Sequence, residues 1–272
     1  MKTIQDVQKY WDDRPCNIRH SQEPVGSYDY FNEVEKRKYF VEPHIPTFAD
    51  FDHWKGKKVL EIGCGIGTDT INFARAGAEV TAVDISSYSL QLAKIRANIM
   101  GVKDKIQFFH ADAETLQISG GPFDLIYSFG CLHHTPNPIA AIKNLQIYCH
   151  SKTTVKLMLY HKHSWKVLEM LFHYGYSPNF IAKYSEAEFN CPVTFAYSKD
   201  EARQIMEDAG FKIEDIHVDH IFPYIVSEYK NYNYKKKRIW RIIGDHDFHW
   251  LEKKLGWHLL ITATPKWGEN WQ

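Results

Sequence analysis

The segment VLEIGCGIGTDT, residues 59–70, constrains the fold of this 272-residue chain more than any other. It places an apolar run before three glycines, Gly63, Gly65 and Gly67, and a helix-like sequence after them. Glycine lets the backbone turn sharply and approach a ligand closely, because it carries no side chain. A dinucleotide-binding fingerprint requires its third glycine at position 68, where this chain has Thr68. The segment therefore predicts a strand, a turn and a helix that suit a ligand without a pyrophosphate.

Strand and helix patterns alternate between residues 55 and 160. Five apolar runs are separated by segments with helical periodicity: KKVLEIG, EVTAVDIS, KIQFFHAD, FDLIYSFG and TTVKLMLY. This alternation predicts βαβ units, a parallel sheet and right-handed crossovers. Two later runs, FKIEDIHVDH and WHLLITATP, are predicted to form the last strands, and SKDEARQIMEDAGF a helix with a capping box. The pattern as a whole predicts an α/β fold.

The chain is predicted to form a single domain over residues 1–272. Hydrophobic residues make up 44% of it, which is enough for a sizeable core, and no repeat or low-complexity linker divides it. Within the domain we predict a helical N-terminal cover over residues 1–50, a cofactor-binding core over 55–160, a substrate lid over 161–197, and the C-terminal half of the sheet over 198–265 with an insertion at 221–257.

Acidic residues lie at or near the ends of three predicted strands. Asp84 ends the second strand, where a carboxylate can accept hydrogen bonds from both hydroxyls of a ribose. Asp112 and Ala113 follow the third strand, where a side-chain acceptor and a backbone N–H can hold an adenine edge. Glu61 precedes Gly63 by two residues and can orient an ammonium group or the amides of the loop. Because the carboxyl ends of parallel strands meet at one edge of a sheet, these residues predict a nucleoside site.

On these residues the chain resembles the class I S-adenosylmethionine-dependent methyltransferases, specifically the small-molecule group with an E-x-G-x-G-x-G loop. The resemblance covers residues 57–160 and extends more loosely to Thr264. It implies a Rossmann-like, seven-stranded, mostly parallel sheet with helices on both faces and an antiparallel last strand. It also implies S-adenosylmethionine as the cofactor, held by these residues: Glu61, Gly63, Gly65, Gly67, Asp84, Asp112, Ala113 and Phe129.

The segment LHHTPNP, residues 132–138, follows the fourth predicted strand and places His133 and His134 beside the expected cleft. Neighbouring side chains in an extended loop point in different directions, so one of the pair is expected to face the ligand. Histidine has an ordinary pKa of about 6.5 and can accept a proton from an attacking hydroxyl or amine. Alternatively, one histidine donates to a loop carbonyl and the other packs under the following helix. Both residues are therefore candidate catalytic residues with a structural alternative.

Aromatic and basic residues cluster in the predicted cover and at the start of the lid. The cover contains Tyr10, Trp11 and Arg14, and Tyr160 precedes the lid. In the family that the chain resembles, N-terminal segments often close over the cofactor. Aromatic faces attract a sulfonium by about 1 kcal/mol, and an arginine can clamp a carboxylate. We predict that these four residues bind substrate; alternatively, they pack a helix and a second small core.

Charge gives no global reason to expect a nucleic acid or an anionic membrane as the partner, because lysine plus arginine and aspartate plus glutamate both number 33. The basic stretch YKNYNYKKKRIWR, residues 229–241, either docks RNA or phospholipid headgroups or forms a solvated helix face. His246 and His249 have no carboxylate or cysteine partner with the spacing of metal ligands. We therefore predict that no metal is required.

Three features favour a cytoplasmic protein with no membrane association. No apolar run approaches the about 18 residues that span a bilayer. The N-terminal segment MKTIQDVQKYWDD is polar and lacks the apolar stretch of a signal peptide. The five cysteines are scattered without a C-x-x-C pair, which is typical of a reducing compartment.

The sequence thus predicts an S-adenosylmethionine-dependent methyltransferase that acts on an oxygen or nitrogen of a small metabolite. One alternative is a methyltransferase for RNA or protein that docks its target through residues 229–241. A second alternative is a cofactor-binding module without catalysis.

Overall fold

The computed structural model of the chain describes residues 2–186 and 190–266. Its strands are β1 Lys58–Ile62, β2 Glu79–Asp84, β3 Ile106–His110, β4 Phe123–Phe129, β5 Cys149–Tyr160, β6 Phe211–Asp219 and β7 His258–Pro265. Its helices are α1 Ile4–Asp13, α2 Tyr28–Val41, α3 His44–Ala49, α4 Thr68–Ala76, α5 Ser87–Ile99, α6 Pro138–Asn144, α7 Trp165–Tyr174, α8 Phe180–Tyr184, α9 Lys199–Asp208, α10 Val226–Lys230, α11 Arg238–Ile242 and α12 Asp245–Leu255. The predicted domain and lid also contain residues 1, 187–189 and 267–272, which lie outside the described residues.

The seven strands form one sheet in the order β3-β2-β1-β4-β5-β7-β6. β1 pairs in parallel with β2 on one side and with β4 on the other. β7 runs antiparallel to both of its neighbours, β5 and β6. This topology confirms the Rossmann-like fold that was predicted from the sequence. The strand order reverses between β1 and β4, which is where open α/β sheets form a ligand cleft at the carboxyl edge.

The core lies on both faces of the sheet, because successive side chains of a strand point to opposite faces. In β1, Val59 packs with residues of α4 and α5, whereas Leu60 and Ile62 pack with residues of α6 and α9. All three side chains are fully buried or nearly so. A strand covered on both faces has a continuous apolar sequence, which explains the run that opens the glycine segment.

The predicted ends of the elements are confirmed for α9 and differ for β5. The Ser198 hydroxyl accepts a hydrogen bond from the Glu201 N–H at 3.1 Å, and the Glu201 carboxylate accepts one from the Ser198 N–H at 2.8 Å. β5 begins at Cys149, four residues before the predicted TTVKLMLY run. Cys149 pairs with Phe123 ahead of a register shift in the sheet, so the polar residues that follow Cys149 are in the strand despite their composition.

Polar contacts at two places hold the N-terminal cover on the core. The Asp12 carboxylate accepts hydrogen bonds from the Ser86 hydroxyl at 2.9 Å and the Tyr88 N–H at 3.2 Å, which docks α1 on the start of α5. Arg96, fully buried in α5, donates to the Glu35 carboxylate of α2 at 2.8 Å. The cover is therefore attached to the helix that follows β2, next to the cleft.

The lid and the C-terminal insertion pack through aromatic side chains. Val167 and Met170 of α7 pack against Trp257, which precedes β7. The Arg37 guanidinium of α2 lies 4.0 Å from the centroid of the Tyr229 ring in the insertion, a cation–π contact that joins the insertion to the cover. None of the helices between residues 2 and 266, leaving aside 187–189, combines the length and hydropathy needed to cross a bilayer.

Candidate functional site

A cavity of about 1250 Å³ lies at the carboxyl edge of the sheet, beside the ends of β1, β2 and β4. Its walls come from the core, the cover, the lid and the insertion. Gly65 lines the cavity with its backbone. A Cβ placed on Gly65 would meet no atom within 4 Å, so this side of the residue faces open space. Gly65 has a φ of +52°, so a larger residue would be strained and would extend into the open space. The glycine loop therefore leaves room for a ligand at this point.

The other two glycines of the loop serve close packing. A Cβ on Gly63 would lie 2.3 Å from Cβ of Cys131, so Gly63 allows the loop to approach the turn after β4. A Cβ on Gly67 would lie 3.1 Å from Cβ of Ala93, where α4 and α5 cross. Gly63 lines the cavity and Gly67 does not. The structure therefore differs from the expectation that all three glycines contact the cofactor.

Asp84 lies at the cavity wall with its carboxylate held in place by the backbone. Oδ2 accepts a hydrogen bond from the Gly65 N–H at 2.7 Å, and Oδ1 accepts one from the Ser86 N–H at 2.8 Å. Burial raises the pKa of the Asp84 carboxyl group, and the two N–H groups act in the opposite direction. Each carboxylate oxygen keeps lone-pair capacity, so the group can accept further hydrogen bonds from the cavity.

Residues at the carboxyl ends of β3 and β4 form the next part of the cavity wall. Asp112 and Ala113 line the cavity, and the Asp112 carboxylate accepts a hydrogen bond from the Glu114 N–H at 2.9 Å. Phe129, at the end of β4, lines the cavity as well. The Glu114 carboxylate accepts a hydrogen bond from the Asn137 N–H at 2.6 Å, which connects the segment after β3 with the segment after β4. The structure thus brings these predicted cofactor residues to one wall.

Glu61 lies behind the glycine loop and does not line the cavity. Its carboxylate accepts a hydrogen bond from the Thr70 hydroxyl of α4 at 2.5 Å, and burial raises its pKa to about 8. Glu61 and Val59 point to the same face of β1, the one covered by α4. Because successive side chains of a strand point to opposite faces of the sheet, Glu61 points toward α4, where it binds Thr70, and not into the cleft.

His133 is fully buried and does not line the cavity. Its ring centroid lies 3.9 Å from that of Tyr160, and neither ring nitrogen has a hydrogen-bond partner among the described residues. Burial lowers the pKa of His133 well below its ordinary value. A short 3-10 helix, Leu132–His134, turns the two histidines to different sides, and the position of His133 is that of a packed core residue.

His134 lines the cavity. Its Nδ1 lies 3.1 Å from the carbonyl oxygen of Val193, so Nδ1 carries the proton and donates, and Nε2 is left with a lone pair. Nε2 is 3.6 Å from Oε1 of Glu186, and the ring meets Trp11 edge-on at 5.3 Å between centroids. Burial lowers the pKa of His134, whereas the negative charge of Glu186 and the hydrogen bond to the Val193 carbonyl act in the opposite direction. The imidazole is therefore neutral and oriented, and Nε2 can accept a proton.

The four predicted substrate-binding residues all line the same cavity: Tyr10, Trp11, Arg14 and Tyr160. The Tyr160 hydroxyl donates to Oε1 of Glu186 at 2.8 Å. Sequence reasoning missed Glu186, because it lies in the lid without periodicity or a motif around it. The only available signal was its position in the segment predicted to close over the cleft.

Sequence reasoning also missed a second polar group at the cavity wall, formed by Glu42, His220 and His258. The three residues are far apart in the sequence, and no spacing links them. The histidines considered from the sequence, His246 and His249, lie on the surface of α12 and contact neighbouring carboxylates.

The basic stretch 229–241 is largely engaged within the chain. Trp240 is buried, and Tyr229 packs on Arg37. Three consecutive lysines each have a carboxylate partner: Lys235 with Glu228, Lys236 with Asp245 and Lys237 with Glu169. These contacts account for much of the stretch without an external partner.

Buried histidines make the stability of the chain depend on pH. Burial lowers the pKa of His133 and His134, and lowers that of His20 to about 3. Below pH about 6.5 the unfolded chain therefore binds protons that the folded chain does not bind, and stability falls as the pH drops. Four further histidines act in the same direction: His44, His161, His220 and His258. Burial raises the pKa of Glu42 to about 7 and that of Glu61 to about 8, which opposes the effect with two protons against seven. We expect Tm at pH 5.0 to be lower than at pH 7.5 by on the order of 10 °C.

Thermal unfolding followed by circular dichroism at the two pH values measures this difference. A Tm at pH 5.0 equal to or above that at pH 7.5 would contradict the burial of neutral histidines.

Comparison with known proteins adds three findings. A family model described as a methyltransferase domain matches residues 34–216 of the chain. Ubiquinone biosynthesis O-methyltransferase of Psychrobacter arcticus is 30% identical over 128 residues, which are 43% of this chain and 50% of that protein. The mitochondrial enzyme of the same name from Schizosaccharomyces pombe is 35% identical over 130 residues, 42% of this chain and 47% of that protein. The chain thus spans half or less of the length of these relatives.

Solved structures share the fold over most of the chain. Magnesium protoporphyrin IX methyltransferase from Synechocystis PCC 6803 with bound S-adenosylhomocysteine has a TM-score of 0.62 at 17% identity, covering 96% of this chain and 99% of that one. The cyclase SpnF also has a TM-score of 0.62, at 16% identity, covering 98% of this chain and 97% of that one. At such low identity, these similarities show the fold alone.

Proposed function

The chain belongs to the class I S-adenosylmethionine-dependent methyltransferase family, and from this premise we propose that it methylates an oxygen or nitrogen of a small organic molecule. The observation that carries the proposal is the single cavity that reaches from Gly65 and Asp84 to His134 and Tyr160. Its volume of about 1250 Å³ exceeds the ~300–1,000 Å³ of an ordinary small-molecule site. It therefore has room for a methyl donor and an acceptor together.

The donor half of the cavity fits S-adenosylmethionine through residues of the core. Asp84 would accept hydrogen bonds from the ribose hydroxyls, and Gly65 leaves the space that the ligand needs. Asp112 and Ala113 would hold the adenine edge. Phe129 offers a ring face to the sulfonium, a contact worth about 1 kcal/mol. When bound, S-adenosylmethionine supplies a methyl group on a positively charged sulfur that is already activated for in-line displacement.

The acceptor half of the cavity offers a base and an enclosure. Nε2 of His134 is oriented by the bond from Nδ1 to Val193 and would take the proton from an attacking hydroxyl or ammonium group. Glu186 lies beside it and would stabilise the imidazolium that forms. Both Val193 and Glu186 belong to residues 161–197, which supports the role of that segment as a lid that excludes water. Tyr10, Trp11 and Arg14 would cover the acceptor from the side of α1.

Oxygen is the acceptor atom that the relatives favour, because both are named O-methyltransferases. The ion pairs of the three lysines in residues 229–241 do not favour RNA docking through that stretch. The name of SpnF, a cyclase, shows that this fold alone does not define a methyl transfer. A labelling experiment is therefore the test that separates these functions.

The proposal is tested by incubating the purified chain with a small-molecule extract and an S-adenosylmethionine that carries an isotope-labelled methyl group. Mass spectrometry is expected to find labelled small molecules that are absent when the Asp84→Ala variant replaces the wild type. Label only in RNA or protein fractions would instead establish the docking alternative. Donor binding without label in any fraction would leave the chain a binding module and contradict the proposal.

The docking of α1 predicts how tightly the donor is retained. Asp12→Ala removes the acceptor for Ser86 and Tyr88, a cap-like interaction worth about 1 kcal/mol. Since α1 forms part of the cavity wall, we expect S-adenosylhomocysteine to dissociate about fivefold faster. Stopped-flow displacement measures this rate.

The matched control for Asp12→Ala is Lys9→Ala. Lys9 is exposed, does not line the cavity and pairs with Asp13 within α1, so its replacement should leave the dissociation rate unchanged. Equal rates for both variants and the wild type would show that α1 does not retain the donor.

A further inference from the structure

Three side chains from distant parts of the chain meet at the cavity wall. Glu42 follows α2, His220 follows β6, and His258 begins β7. One potential ligand atom from each lies within 4.8 Å of the other two. We propose that these three side chains bind a divalent transition-metal ion, with Zn²⁺ as the best match, inside the acceptor half of the cavity.

The donor set selects the class of metal. Two imidazole nitrogens with one carboxylate oxygen form the protein ligands of many catalytic zinc sites, and they leave a position open for substrate. Zinc bonds of about 2.0–2.2 Å place tetrahedral ligand atoms roughly 3.4 Å apart. Oε1 of Glu42 and Nε2 of His258 are already 3.6 Å apart. The other ligand atoms are within 4.8 Å of one another, so the side chains would have to move closer to bind an ion.

His258 has a partner on its second ring nitrogen. Nδ1 of His258 lies 2.9 Å from Nε2 of His44, the first residue of α3. Histidines that bind metals usually donate from the nitrogen that does not contact the ion, which orients the ring. Donation from Nδ1 to His44 leaves Nε2 of His258 unprotonated on the side of Glu42. His44 would thus act as a positioning residue.

The three side chains are enclosed by the protein, and one of the residues has an unusual backbone conformation. Glu42 is largely buried, and the neighbouring Lys38 ammonium forms a 2.8 Å ion pair with Asp69. The side chains of His220 and His258 are both buried. The backbone of His220 has a φ of 71°, an uncommon conformation for a residue other than glycine. Strain of this kind is typical of functional sites.

The cluster of Glu42, His220 and His258 lies next to the proposed donor site, where a bound ion could contact the acceptor. The Phe129 ring lies 5.4 Å from that of His258 between centroids, and Phe129 is on the proposed donor side. An ion held by the cluster would coordinate the hydroxyl of an acceptor, orient its oxygen and lower its pKa. This role rests on the proposed function, whereas metal binding itself does not.

Metal binding is tested on the full chain after dialysis against a chelator. Titration with Co²⁺ should produce visible absorption of a single tetrahedral or five-coordinate site, and Zn²⁺ should displace it at one equivalent. Glu42→Gln and His220→Ala should each weaken binding by on the order of 100-fold or more. His44→Ala should weaken it by about 10- to 100-fold, as expected for an outer-shell partner.

The matched control is His217→Ala, which removes a half-exposed histidine of β6, three residues before His220, that pairs with Asp215. This variant should bind Co²⁺ like the wild type. No saturable binding by the wild type, or equal binding by Glu42→Gln and His220→Ala, would overturn the inference.

Calorimetry with S-adenosylhomocysteine on the same metal-free samples separates this inference from the proposed function. Intact binding of S-adenosylhomocysteine without metal binding overturns the metal site alone. Failure of the wild type to bind S-adenosylhomocysteine, with metal binding intact, overturns the proposed function alone.

Discussion

Asp84→Ala is expected to weaken the binding of S-adenosylhomocysteine by on the order of 100-fold or more. The carboxylate is held by the Gly65 and Ser86 N–H groups, so it is positioned before the ligand arrives. Hydrogen bonds to a charged acceptor contribute about 1.5–3 kcal/mol each, and two ribose hydroxyls would use the group. Every 1.4 kcal/mol is about tenfold in affinity. Isothermal titration calorimetry measures the change.

Asp84→Asn and Asp104→Ala complete this experiment. The asparagine keeps the shape but turns a donor toward one of the two backbone N–H groups, so it should also weaken binding strongly. Asp104 is exposed and distant from the cavity, so its replacement should have no effect. Unchanged affinity in Asp84→Ala would refute the placement of the ribose.

His134→Ala is expected to lower kcat by about 10²- to 10⁴-fold, the usual contribution of a general base. Nε2 is the atom that would take the proton, and its orientation depends on the bond from Nδ1 to Val193. Because burial lowers the pKa of His134, the base is already unprotonated at neutral pH, and kcat should fall only on acidification. The rate of label transfer to the identified acceptor, measured from pH 5 to 8, gives both quantities.

His133→Leu is the control for His134→Ala. His133 lies outside the cavity wall, and neither of its ring nitrogens has a partner among the described residues. Leucine removes polar atoms whose burial without hydrogen bonds costs about 1–3 kcal/mol, so Tm should stay equal or rise while kcat is retained. Near-wild-type kcat in His134→Ala would show that the acceptor needs no base at that position.

The sheet and the donor half of the cavity were predictable because their signals are local. An apolar run such as KKVLEIG predicts a strand that is buried on both faces. The place of Asp84 at the end of the next strand predicts its role in the cavity wall. The position of Glu61 behind the loop can also be predicted, because alternate side chains of a strand share a face and Glu61 therefore points to the same side of β1 as Val59.

The acceptor half was not predictable in the same way. Glu186, His220 and His258 reach the cavity through the packing of the lid and the last two strands, over long separations in sequence. Glu186 lies in a lid segment without a periodic pattern. His220 and His258 belong to the two runs predicted as the last strands, but only the pairing of β6 with β7 brings these two residues together. The contact between His258 and His44 joins residues 214 positions apart, a pairing that only the folded chain reveals.

A crystal structure of the chain grown with S-adenosylhomocysteine tests the central claim most directly. The account predicts that the ribose hydroxyls lie about 2.6–3.2 Å from the Asp84 carboxylate oxygens, with the adenine beside Asp112 and Ala113. It also predicts that the sulfur faces Phe129 and the open volume next to His134. A nucleoside bound elsewhere, with the space at Gly65 filled only by water, would contradict it.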